Sequence, residues 1–144
     1  RYHVADDHFF NQLFERADSL SEDPLQQMLI FLKLLAEAMG DLPSTHPGCL
    51  VASFTYESQQ FNEDVIRVVC DCIVGWRQMF LKKLAAINEV HPMKIETDIM
   101  EVADMLTSVI EGGIILSKAF NEPERLVNQI VQYRNYIRLL YGDA

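Results

Sequence analysis

Apolar residues along this chain recur every three or four positions and never in the strict alternation of a half-buried strand, so the sequence reads as helix throughout. The spacing predicts about six segments. The first runs from the N-terminus to about Ala17, with Val4, Phe9 or Phe10, Leu13 and Phe14 on one side. The second has a marked start: Asp23-Pro24-Leu25-Gln26 supplies an N-cap, a Pro at the first helical position and a Gln placed to complete a capping box. Its stripe is Leu25, Met28, Leu32, Leu35 and Met39, and Gly40 stops it. A loop containing Pro43 and Pro47 follows. Cys49 to about Gln59 predicts a short third helix, despite the low helix propensity of Val51, Phe54 and Thr55.

The fourth segment starts at Asn62, with Phe61 and Ile66 placed as a hydrophobic staple. Its face is Val65, Val69, Cys72, Trp76, Phe80, Leu84 and Ile87. Further apolar residues around the cylinder (Ile66, Ile73, Val74) make it the expected central helix. After His91-Pro92, Thr97 and Asp98 mark the start of the fifth, whose stripe holds Val102, Ala103, Leu106, Val109, Ile110 and Gly113. The last is expected to open on a capping box at Asn121-Glu122-Pro123-Glu124. It carries Leu126, Ile130, Tyr133, Ile137 and Leu140 in a heptad seam that requires a partner helix along its length.

That final pair is apolar on more than one face. Gly112-Gly113 in mid-helix costs about 1 kcal/mol per Gly relative to Ala, which is reasonable where two backbones approach closely. Two readings stay open. One is packing inside a single chain. The other, preferred, is a two-fold four-helix interface between two copies, formed by Gly112, Gly113, Leu116, Phe120, Leu126, Ile130, Tyr133, Ile137 and Leu140.

With 144 residues the chain fits one domain, and an all-α bundle is the expected class. A formal charge of −9 opposes binding of a phosphate backbone by this stretch. No apolar run is long enough to span a bilayer, and no signal peptide is seen. Arg1 is not an initiator Met and the first residues already read as mid-helix, so the natural chain is expected to begin earlier. The three cysteines read as reduced thiols of a cytoplasmic protein.

Catalytic constellations are not found. None of His3, His8, His46 and His91 falls in a metalloprotease or di-iron spacing, and His3 with Asp7 and His8 is too small a set for a metal. There is no phosphate loop and no nucleophile elbow. Neither enzyme activity, metal nor cofactor is expected. What remains is a set of large or adaptable side chains from helices that should converge: Phe31, Leu35, Phe54, Trp76, Met79, Phe80, Met105 and Val109. They form either solid core or the lining of a cavity, with Glu57 among the polar residues available to orient a ligand.

The segment from Gly48-Cys49-Leu50 through Phe54-Thr55-Tyr56-Glu57, the long helix with Trp76-Arg77, and Ala103-Asp104-Met105-Leu106 through Ile110-Glu111-Gly112-Gly113-Ile114-Ile115-Leu116 together resemble the C-terminal domain of TetR-type transcriptional repressors. The likeness covers nearly the whole chain. It implies a homodimer joined by the last two helices, and a small hydrophobic or aromatic effector held by the second to fifth. It also implies DNA release on ligand binding, with operator contact made by a helix-turn-helix unit that this chain lacks. The competing reading is a free-standing helical module that docks another protein.

Overall fold

A computed structural model describes residues 2–42 and 63–142. It contains five α-helices there and no strand among the described residues: α1 (Tyr2–Leu20), α2 (Pro24–Gly40), α3 (Glu63–Val90), α4 (Ile99–Phe120) and α5 (Glu124–Tyr141). The expected helix from Cys49 to Gln59 and the staple of Phe61 lie outside the described residues, as do the side chains of Val4, Val65 and Val69.

The start of α2 follows its sequence signals. Asp23 is extended and its Oδ2 accepts from the Gln26 amide at 3.3 Å, while the Asp23 amide itself donates to Ser21 Oγ. His91, just past α3, donates from Nε2 to Asp23 Oδ1 at 2.6 Å. One carboxylate therefore caps α2 and ties the end of α3 to it. Partial burial pushes the Asp23 pKa up, but the His91 hydrogen bond and the Gln26 amide outweigh it and hold the carboxyl below its ordinary value. A depressed acid contributes stability that is complete above the unfolded pKa and is lost as pH falls through the folded one. Asp23→Ala should cost about 1 kcal/mol near neutrality. Urea melts at stepped pH should show that difference shrinking below about pH 4.

The turn into α5 departs from the expected capping box. Asn121 adopts the left-handed conformation (φ 52°) and closes α4, its amide donating to Lys118 O. A short polar side chain tolerates that conformation better than most. α5 then begins after Pro123 without a side-chain cap from its own flank. Ser117 of α4, fully buried, takes over: its Oγ accepts the Leu126 amide at 3.0 Å, satisfying a first-turn N–H from across the turn.

Among the described residues α2, and not the helix expected to be central, has the most helix neighbours. α2 packs against α1, α3 and α5, whereas α3 packs mainly on α4 and more lightly on α2. Residues Cys72, Trp76, Phe80, Leu84 and Ile87 of α3 are buried, but Ile66 and Val68 in its first turns are exposed. α2 buries Leu25, Met28, Leu29, Phe31, Leu32, Leu35 and Ala36, more than one face can supply to one neighbour. Polar anchors fix the arrangement. Tyr133 Oη donates to Val102 O at 2.8 Å between α5 and α4, Arg134 Nε to Leu29 O at 2.9 Å between α5 and α2, and Tyr141 Oη to Asn88 Oδ1 at 2.6 Å between α5 and α3. Burial keeps the Tyr133 phenol protonated far above its ordinary range and pushes that of Tyr141 up to about 12.

Candidate functional site

The inner stripe of α3 sets out the candidate site. Its 28 residues carry Cys72, Trp76, Phe80 and Leu84 one turn apart, so their side chains form a single buried line, and Phe80 in it meets rings of α1 and α2. At its lower half the line ends in an aromatic cluster. Phe31 of α2 stacks on Phe14 of α1 with centroids 3.7 Å apart and planes 9° apart. Phe10 meets Phe80 edge-on at 5.5 Å and Phe31 edge-on at 6.4 Å. Beside it, Lys83 pairs with Asp18 at 2.6 Å and sits 5.0 Å over the Phe14 ring, so α1 is fastened to α3 by rings and by charge.

Trp76, one turn before Phe80, differs from these residues. Its side chain is only 5% exposed, yet its indole Nε1 has no hydrogen-bond partner among the described residues. An unsatisfied buried N–H costs about 1–3 kcal/mol, and native interiors rarely leave one. The adjacent Arg77 turns the other way and grips Asp104 of α4 with two hydrogen bonds, Nε to Oδ1 at 2.7 Å and Nη2 to Oδ2 at 2.8 Å. The Asp104 hydrogen bonds push the guanidinium pKa further above its ordinary value.

The sequence-derived lining divides on this geometry. Phe31, Leu35, Trp76 and Phe80 are buried, and Met79 and Val109 are partly buried against the same core. Met105 does not join them: it is 38% exposed on the outer side of α4. Phe54 and Glu57 lie outside the described residues. The sequence reading missed Phe10 and Phe14 as members of this group. Their place on the apolar side of the first segment was legible; their meeting with Phe31 and Phe80 was not.

The expected dimer residues divide as well. Leu126, Ile130, Tyr133, Ile137 and Leu140 are at most 2% exposed within the single chain. The heptad seam has therefore found its partners in α2 and α4 of the same copy, and these residues have no surface to offer another. Gly113 also faces inward, because a Cβ there would lie 3.0 Å from the Leu126 backbone. Among the described residues Gly112 has nothing within 4 Å of its Cβ position, Leu116 is partly buried, and Phe120 is 61% exposed.

A different outer face emerges. At heptad spacing along α4, Met105, Ser108, Gly112, Ile115 and Ala119 turn away from the core. On α5 the outward residues include Asn128, Val131, Gln132, Asn135 and Leu139. None of these carries a charge, on a chain with 23% charged residues. Ile115 at 48% and Leu139 at 70% exposed give the face its apolar content. Among the described residues no helix is long and apolar enough to cross a membrane.

Comparison with known proteins follows the same lines. The fold is similar to that of the regulatory protein TetR from Rhodobacter sphaeroides, with a TM-score of 0.72 and 19% identity, covering 93% of this chain and 71% of that one. No curated protein sequence matches the chain. A family model for the C-terminal domain of LmrA/YxaF-like transcriptional regulators matches residues 24–130. The chain therefore belongs to the TetR-type C-terminal domains of the LmrA/YxaF-like kind, the regulatory ligand-binding part of transcriptional regulators.

Proposed function

We propose that this domain senses a small, largely apolar effector beside the inner stripe of α3, and that it pairs with a second copy of itself through the outer faces of α4 and α5. Effector binding then releases operator DNA from helix-turn-helix units carried ahead of α1. The observation that carries this reading is the contact between Phe80 and Phe10, with Phe80 one turn from Trp76. A molecule seated against Trp76 displaces the stripe of α3, and Phe80 passes the displacement to α1 through a packed ring pair. Close-packed rings transmit such a shift because interiors do not compress. The size of the response is bounded by the effector's differential affinity for the two positions of α1.

The second copy is supported by the uncharged outer face. Taking Met105, Ile115, Val131 and Leu139 out of water favours association, and Gly112 lets two helices approach closely. Sedimentation equilibrium tests it. The wild type is expected to be a dimer at micromolar concentration. Ile115→Glu places an unpaired charge in the interface twice by symmetry and should raise the dissociation constant by about two orders of magnitude or more. Its helical content should be unchanged, since exposed substitutions usually alter stability by no more than about 0.5 kcal/mol. A wild type that is monomeric at that concentration overturns the pairing.

A further inference from the structure

The indole of Trp76 points to the chemistry of the effector. We infer that the molecule recognised beside α3 is a neutral ring compound bearing a hydrogen-bond acceptor, such as a carbonyl or ether oxygen or a pyridine-type nitrogen, that receives the Trp76 Nε1–H. The inference rests on the effector reading above and narrows it.

Trp76 is buried to 95% of its surface and its donor has no partner among the described residues. Indole nitrogen can only donate, so whatever completes it must accept. The described residues offer no such acceptor to it. Asp104, the carboxylate that α4 brings to this stretch of α3, has both oxygens committed to Arg77. The carbonyls of mid-α3 are held in the helix, and the aromatic residue one turn on, Phe80, has no polar atom. A pure hydrocarbon would leave the N–H orphaned, and a ligand presenting donors would meet another donor. An anion is disfavoured by the chain's formal charge of −9. A neutral acceptor on an apolar frame is the class that remains.

Trp76 is the sole tryptophan, so its indole N–H gives a single, unambiguous signal in a proton–nitrogen correlation spectrum of the full chain. The probes are 9-fluorenone and fluorene, which share one tricyclic skeleton and differ by a carbonyl in place of a methylene. Fluorenone is expected to bind and to move the indole proton downfield; fluorene is expected to bind without that displacement. The affinity ratio of the two probes should fall by roughly three- to tenfold from wild type to Trp76→Phe. An indole signal that fluorenone binding leaves in place, or a probe ratio that Trp76→Phe leaves unchanged, overturns the acceptor while the apolar-effector reading stands. Failure of both probes to perturb any resonance of the wild type counts against that reading, and the acceptor falls with it. The wild-type spectrum decides the question even if Trp76→Phe folds poorly.

Discussion

Phe31→Ala is expected to cost about 3–5 kcal/mol of stability, lowering the melting temperature by roughly 10–15 °C. Phe31 is fully buried, stacks on Phe14 and meets Phe10 edge-on. Truncation removes a large apolar surface from contact and leaves a cavity walled by rings on α1 and α3, which cannot collapse without moving both helices. Calorimetry of the variant checks this and does more than measure stability. If Phe31 lined an open cavity, one of its sides would already lack partner atoms and the loss would be nearer 1–2 kcal/mol. A cost in the upper range identifies Phe31 as core that transmits an effector's presence, and moves the effector itself toward Trp76. Phe120→Ala, at a position 61% exposed, is the control and should change the melting temperature of the single chain little.

Gly113→Ala is expected to destabilise by about 1–3 kcal/mol, although Ala is the better helix former. The added Cβ would lie 2.9 Å from Leu126 Cδ1 and 3.0 Å from Leu126 Cα, and the second of these is backbone that cannot swing aside. Gly112→Ala should do the reverse. With nothing within 4 Å, it gains helix propensity of about 1 kcal/mol. The comparison is cleanest in an Ile115→Glu background, where melting reports the single chain. Two adjacent glycines giving shifts of opposite sign would separate the packing of α4 on α5 from any contact with a second copy. A stabilising Gly113→Ala would show that α4 and α5 do not approach closely there.

These two residues also mark the limit of what the sequence conveyed. The start of α2 was legible because Asp23, Pro24 and Gly40 act locally, on their own helix ends. The stop after α3 was legible for the same reason, since His91-Pro92 interrupts the backbone whatever surrounds it. The heptad seam of α5 was legible as a demand for a partner, but periodicity does not say which chain supplies it. Here α2 and α4 of the same copy do. Neighbouring residues on a helix point about 100° apart, so the Gly112-Gly113 pair, read as one signal, proved to be an inward contact and an outward gap. Asn121 misled for a related reason: a residue suited to open a helix is also suited to end one, and the buried Ser117 oxygen decided between them. The unpaired indole of Trp76 could not be read at all, because the absence of a partner is a property of the folded interior and leaves no trace in spacing.

The fastening of α1 has one mechanical consequence. Its contacts with the rest of the domain begin at Phe9 and Phe10 and run through Phe14 and Ala17 to Asp18, in a helix that begins at Tyr2. The ring pair of Phe10 and Phe80 is thus the pivot nearest the start of the helix. Seven residues of α1 precede Phe9, and at a helical rise of 1.5 Å each they span about 10 Å. A tilt of about 5° at the pivot carries the start of the helix about 1 Å. In a symmetric pair two such helices tilt at once, so an adjustment of rings at the α3 stripe is delivered to both ends of the assembly together.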